Sequence, residues 1–203
     1  MKLLHNLVPA EIGGVAHDPA FDFQQELADL IRQAQRRALG PSTASLVRAA
    51  EARAGQPFFL YLPLPAPHTP IAPTKEWQGR SGLNDYADFV MQTDAAVGEI
   101  VAALERHGVA DNTLFIFTSD NGCSPQADFP FLTSRGHDPS DRRRGYKADI
   151  FDGGHRIPLI VRWPGRVAAG VRQDAFVCLG DFFATCAEVL GQSLPADVAE
   201  DSI

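Results

Sequence analysis

The spacing of apolar residues changes several times along the chain, and each change marks an element. Over 21–39, Phe23, Leu27, Leu30, Ile31, Ala34 and Ala38 fall close to one helical face, and Gly40-Pro41 stops the pattern. Arg36 and Arg37 stand in the last turn, where cations suit the helix dipole. A second short helix is expected over 42–53, with Ser42 as its cap and Gly55 just beyond it. The pattern then becomes a continuous apolar run, Pro57-Phe58-Phe59-Leu60-Tyr61-Leu62, as expected of a strand buried on both faces. A proline-dense loop follows at 63–73 and cannot continue a ladder.

Helical spacing returns over about 84–107, where Tyr86, Phe89, Val90, Val97, Ile100, Val101 and Leu104 form a stripe and Gly108 closes the helix. Thr113–Thr118 reads as a second buried strand. Strand, helix and strand together predict a right-handed crossover with parallel pairing. Residues 120–147 are polar and rich in Gly, Pro, Asp and Arg. A structureless loop of that length inside a domain is more often functional than accidental. Ile157–Trp163 is a third strand candidate with Pro158 at its start, and Ala175–Leu179 a fourth. Asp181–Leu190 is expected to be a helix capped by Asp181 and stopped by Gly191. The fold class this predicts is α/β, with a mainly parallel sheet flanked by helices.

Composition narrows the function. The chain has 203 residues, 45% hydrophobic and 21% charged, which is globular and excludes a disordered chain or a fibre. The net charge of −7 argues against a nucleic-acid surface. No apolar run is long enough for a membrane span. The first residues do not read as a signal peptide, because His5, Asn6 and Pro9 interrupt the apolar stretch. Three cysteines, Cys123, Cys178 and Cys186, are too few for a disulfide scaffold.

In parallel sheets, ligands bind beyond the carboxyl ends of the strands. The first predicted strand runs into His68, the second into Ser119-Asp120-Asn121-Gly122, and the long loop after it carries Lys147. Asp120 and Asn121 offer two adjacent oxygen donors of the kind that hard cations take, though Asp-Asn-Gly is also good turn chemistry. His68 sits among prolines that stiffen its loop. Taken singly, His68 also reads as a loop histidine bonded to local backbone, and Lys147 as a solvated lysine.

Together these segments resemble the sulfatase family, of the alkaline-phosphatase-like fold, and bacterial arylsulfatases within it. Four blocks carry the likeness: PFFLYLPLPAPHTPIAP (57–73), DNTLFIFTSDNG (111–122), RGYKADIFDGGHRIPLIVRWPG (144–165) and DFFATCAEVLG (181–191). The resemblance implies hydrolysis of a sulfuric ester to an alcohol and sulfate. It implies that Asp120 and Asn121 ligate a divalent cation, usually Ca²⁺, that His68 contacts the ester and helps the leaving oxygen, and that Lys147 binds a sulfate oxygen. It also implies that His155, after Gly153-Gly154, borders the substrate pocket. A metal, a lysine and a histidine aimed at one sulfate would stabilise the charge that develops on its oxygens. A phosphodiester or phosphonate hydrolase of the same fold, or an inactive truncated remnant with a binding role, are the alternatives.

The departures from the family pattern are informative. Sulfatases use formylglycine, made by a formylglycine-generating enzyme from Cys or Ser in a C/S-x-P-x-R motif. Cys123-Ser124-Pro125 begins such a motif, but Ala127 stands where arginine is needed, and the position is downstream of Asp120 rather than upstream. Cys123 therefore reads as a free loop thiol, and the nucleophile as not encoded in this chain. Asp152 replaces the glutamate common before Gly-Gly. The expectation is one partial sulfatase catalytic domain over 1–203, with 57–191 carrying the match and 1–56 a helical lead-in. Such a chain is expected to be marginal alone and to bind a cation weakly. The family is often periplasmic or secreted.

Overall fold

Asn84 begins the longest helix, α1 (Asp85–Arg106), its side chain accepting the Ala87 amide at 3.1 Å. Asp85 and Asp88 lie in the first turn and Arg106 in the last, each complementing the helix dipole. At the other end Gly108 takes φ +68°, its amide reaches Glu105 O at 3.0 Å and the Val109 amide reaches Leu104 O at 3.1 Å. That pair of bonds is a Schellman stop, which needs a residue without a Cβ at the left-handed position. The computed structural model describes residues 57–202, so the helices expected over 21–39 and 42–53 lie outside the described residues. Those residues fall into two compact units, one containing 57–169 and the other 170–202.

In the first unit α1 buries Phe89, Ala96, Ile100, Ala103 and Leu104, whereas Val90, expected on the stripe, is exposed. Ile100, Leu104 and Ala110 form a small core, against which Phe58, Leu62, Val109 and Phe115 pack. Each large aliphatic side chain buried there contributes about 1.5–3 kcal/mol. The inner face of the first turns of α1 is polar. The buried Asp88 carboxylate accepts the Gly79 and Ser81 amides at 2.6 and 2.7 Å, and the Gln92 amide oxygen accepts the Thr74 amide at 3.0 Å. Burial pushes the Asp88 carboxyl up, but the Ser81 and Gly79 donors outweigh it and hold the group below the usual carboxylate range.

Residues 57–62 form no ladder among the described residues. Burial alternates along them, with Phe58 and Leu62 turned to the core and Phe59 and Tyr61 exposed. The expected strand buried on both faces is thus a coil segment that buries one face.

The sheet has two strands, β1 (Phe115–Thr118) and β2 (Leu159–Arg162), paired antiparallel from Phe115↔Arg162 to Thr118↔Leu159. The parallel crossover unit expected from 57–62 through α1 to 113–118 is not formed among the described residues, and β1 pairs with β2 instead. Residues 119–158 leave and return at the same end of the ladder, a connection that makes neighbours antiparallel. Pro158 directly precedes β2, outside its ladder. The Arg162 guanidinium donates to Ala110 O at 3.0 Å, tying β2 to the turn before β1.

The connection is more ordered than a structureless loop. Pro125–Ala127 makes a 3₁₀ turn and α2 (Phe129–Ser134) follows, capped by Asp128, whose carboxylate accepts the Phe131 amide at 3.2 Å. A one-turn helix, α3 (Asp152–His155), carries Gly153 and Gly154.

The second unit contains α4 (Asp181–Val189). Gly180, not Asp181, is its N-cap; Asp181 lies in the first turn and its carboxylate accepts the Cys178 amide at 2.7 Å. Gly191, at φ +65°, ends the helix as expected. Residues 175–179 form no strand, and Phe176 there is 91% exposed. No helix among the described residues is long and apolar enough to cross a membrane.

Candidate functional site

Three stretches of backbone cross beyond the Thr118–Leu159 end of the ladder. The Gly122 amide donates to Gly154 O at 2.9 Å, the Gly153 amide to Arg144 O at 2.8 Å, and the Lys147 amide to Cys123 O at 2.8 Å. This close approach requires glycine. A Cβ on Gly122 would fall inside the contact distance of Gly153 O, and one on Gly153 would do the same at Gly145 O. Gly145 itself takes φ +83°. The knot brings the Asp120-Asn121 turn and Cys123 onto backbone adjoining that of Lys147 and His155, more than twenty residues further along the chain.

The side chains on this knot differ in character. Asp120 is exposed and Asn121 half-buried. The Ser119 hydroxyl donates to Asn121 O at 3.0 Å, and the Asn121 amide nitrogen donates to Gly122 O at 3.0 Å, so its carbonyl oxygen is the end left to accept or ligate. Asp120 and Asn121 therefore suit a hard cation in kind. They supply two of the about six to eight oxygens such an ion takes. Among the described residues no set of three His, Cys, Asp or Glu side chains comes together, so the two fit as part of a ligand shell.

His68 makes local bonds. Its amide donates to Pro65 O at 3.0 Å, and its Nδ1 lies 2.8 Å from Thr69 O. A carbonyl can only accept, so this geometry assigns the proton to Nδ1 and leaves Nε2 as the outward nitrogen. No hydrogen bond among the described residues joins His68 to the knot. The knot gathers Asp120, Asn121, Lys147 and His155, and His68 stands on its own loop, flanked by cis peptide bonds before Pro67 and Pro70.

Sequence reasoning left Tyr86 without a role beyond the helix stripe. Its hydroxyl lies 3.1 Å from Cys123 Sγ, linking α1 to the knot. Burial, then the contact with Cys123, pushes the Tyr86 phenol well above its ordinary value. Burial also raises the Cys123 thiol, offset in part by Tyr86 and the Ser124 backbone. Cys123 is thus a free thiol on the loop, as expected, but half-buried and held by Tyr86. An open cleft of about 410 Å³ lies along Tyr86, lined also by Ile71, Asn84, Asp85 and Gln126. Nothing in the spacing of single residues pointed to this pairing across 37 positions.

The sulfatase family matches residues 20–192 of the chain. The chain belongs to the sulfatase family. A curated N-acetylgalactosamine-6-O-sulfatase of Bacteroides thetaiotaomicron is 41% identical over 150 residues, covering 72% of this chain and 29% of that protein. The human N-acetylgalactosamine-6-sulfatase is 34% identical over 154 residues, covering 72% of this chain and 27% of its own length. A solved structure from Bacteroides thetaiotaomicron, described with the metabolism of multiple glycosaminoglycans, superposes with a TM-score of 0.71 at 37% identity over 81% of this chain and 35% of that one. The chain thus spans less than a third of the length of these curated relatives. The fold class is the α/β, alkaline-phosphatase-like one, present here as part of a catalytic domain.

Proposed function

We propose that this chain is part of a sulfuric ester hydrolase that cleaves a sugar sulfate to alcohol and sulfate. The observation that carries the reading is the glycine knot: it sets an oxygen-donor pair, Asp120-Asn121, on backbone adjoining the cation Lys147, in a chain of the sulfatase family. The quoted relatives are named for sulfate on N-acetylgalactosamine, which favours a sulfated amino sugar as the substrate class.

Each side chain has work that follows from its chemistry. Lys147 meets an equatorial sulfate oxygen, where negative charge concentrates as the S–O bond breaks. Removing one such fixed donor typically costs about 10²–10³ in rate. Its own backbone amide is engaged by Cys123 O, so its side chain is free to change without untying the knot. His68 keeps its Nδ1 proton on Thr69 O and faces the leaving oxygen with Nε2. To assist departure it would give a proton from Nε2 to the leaving oxygen. His155 borders the sugar. Asp120 and Asn121 would hold a Ca²⁺ ion, which when bound neutralises sulfate charge as a Lewis acid. The family's formylglycine would supply the nucleophilic oxygen. This sequence has no C/S-x-P-x-R from which to make it, so in this reading the nucleophile lies in a longer polypeptide and a separate formylglycine-generating enzyme installs it.

The test is an aryl sulfate assay on this chain and on a longer version carrying an upstream C/S-x-P-x-R, each with and without Ca²⁺. Turnover only in the longer, Ca²⁺-loaded protein is expected. Equal turnover by the 203-residue chain would sink the assignment of the nucleophile. Preference of the longer protein for a phosphodiester would sink the sulfate reading.

A further inference from the structure

Among the described residues no hydrogen bond joins His68 to the knot, yet both are fastened to one stretch of α1. The fastenings lie in the cap and first two turns of the helix, residues 84–92, and they fall into two sets. One set holds the loop after His68. The buried Gln92 accepts the Thr74 amide through Oε1 at 3.0 Å, and the buried Asp88 carboxylate accepts the Gly79 and Ser81 amides at 2.6 and 2.7 Å. The other set holds the start of the β1–β2 connection. Asn84 Nδ2 donates to Ala127 O at 3.0 Å, and the Tyr86 hydroxyl meets Cys123 Sγ at 3.1 Å. Cys123 O in turn accepts the Lys147 amide at 2.8 Å.

The first set reaches His68 through a stiff segment. Thr74 stands six positions after His68, and Pro70 and Pro73 fix φ at two of the positions between. Pro73 is buried, its carbonyl accepts Gln78 Nε2 at 3.1 Å, and the Trp77 amide closes a turn on Thr74 O at 2.8 Å. Ile71 lines the cleft with Asn84, Asp85 and Tyr86, so the segment runs along the start of α1. On its other side the His68 amide is held by Pro65 O at 3.0 Å, next to the buried Ala66. Burying a carboxylate and a carboxamide on a helix costs free energy unless each is hydrogen-bonded. Here the partners are amides of this one loop.

We propose that Gln92, Asp88, Asn84 and Tyr86 are positioning residues, and that the start of α1 is the common mount that sets His68 at a fixed reach from Lys147 and the Asp120-Asn121 pair. This rests on the sulfate-ester reading above and deepens it, by naming what aligns the proton donor with the groups that bind sulfate. The four act through the loops they hold. A donor to the leaving oxygen and a cation on the sulfate oxygens work on one breaking S–O bond, so the rate falls steeply when their mutual placement slips.

The test is a double-mutant cycle in the longer, active protein, read as kcat/KM for 4-nitrophenyl sulfate and for phenyl sulfate, whose phenol is the poorer leaving group. Q92M keeps the length of the side chain and removes the acceptor; Thr74 is half-buried, so water can take its amide. Q92M is expected to lose about ten- to a hundredfold in kcat/KM, and more for phenyl sulfate, whose departure depends more on the His68 proton. The loss should vanish in the H68A background, and Q92E, which returns an acceptor oxygen to Thr74, should recover most of it. N84S still caps α1 but drops the Ala127 bond. It runs the same cycle from the knot side if Q92M is unstable, with a loss that shrinks in H68A. A loss equal with and without His68, or equal for the two esters, overturns the positioning role and leaves the sulfate reading standing. Full activity in Q92M does the same. An H68A protein as active as the parent overturns the role of His68 and this proposal together.

Discussion

The amide of Gly122 and the carbonyl of Gly154 meet at 2.9 Å, and this one bond closes the base of the entire connection between β1 and β2. An alanine at 122 would drive its Cβ into the Gly153 carbonyl, which is backbone and cannot turn aside. G122A should cost about 1–3 kcal/mol, the usual range for overpacking. A urea midpoint that shifts by less than the error of the measurement would contradict the geometry.

Asp88 gives a pH-dependent prediction. Its carboxyl is held below its ordinary value of 3.8 by the Ser81 and Gly79 donors. A depressed folded-state value means that ionised Asp88 stabilises the fold fully above the unfolded value. The stabilisation is lost as pH falls through the folded one. D88N should be less stable than the parent by about 1–3 kcal/mol at pH 6. The gap should narrow as the pH is lowered below 3.8. Urea titrations of both proteins at about pH 6 and pH 3 measure the change.

Cys123 should alkylate slowly. Burial raises its thiol above the usual range, so at neutral pH it holds less thiolate than an ordinary cysteine. Exposed Cys178 should label first with iodoacetamide. In Y86F the thiol loses a contact that lowers its pKa, and labelling of Cys123 at fixed pH should slow further unless the substitution opens the site. Peptide mass spectrometry over a range of pH values separates these outcomes.

Lys147 should separate catalysis from folding. K147A leaves the backbone amide that meets Cys123 O in place. In the longer, active protein kcat/KM for an aryl sulfate should fall about 10²–10³-fold, with the melting temperature nearly unchanged. D120A should instead raise the Ca²⁺ concentration needed for half activity. A K147A protein of full activity would remove Lys147 from the mechanism.

The helices were legible because their signals are local. Asn84, Gly108 and Gly191 act within one turn of chain, and α1 and α4 lie within a residue or so of their expected bounds. The strands were legible as apolar runs at 115–118 and 159–162 but not in their pairing. Direction depends on where a connection returns, and forty residues of polar loop do not announce that. The run at 57–62 misled for a related reason: apolar residues at every position do not tell a strand buried on two faces from an extended segment that buries alternate residues. Asp88 and Gln92 were invisible to a hydrophobic pattern because they are polar and buried, gripping amides of the preceding loop. Of the site, Asp120, Asn121, Lys147 and His155 were read as separate loop residues joined by family likeness. What the sequence withheld was the fastening, since it is made by glycine amides and carbonyls and no side chain signals it.

That fastening has a further consequence. Because Gly122, Gly153 and Gly154 join main chain to main chain, the side chains of Asp120, Asn121, Lys147 and His155 take no part in those bonds. Positions 120, 121, 147 and 155 are therefore open to exchange of their chemical groups on an unaltered frame. A protein engineer seeking new chemistry should vary those four and leave the glycines alone.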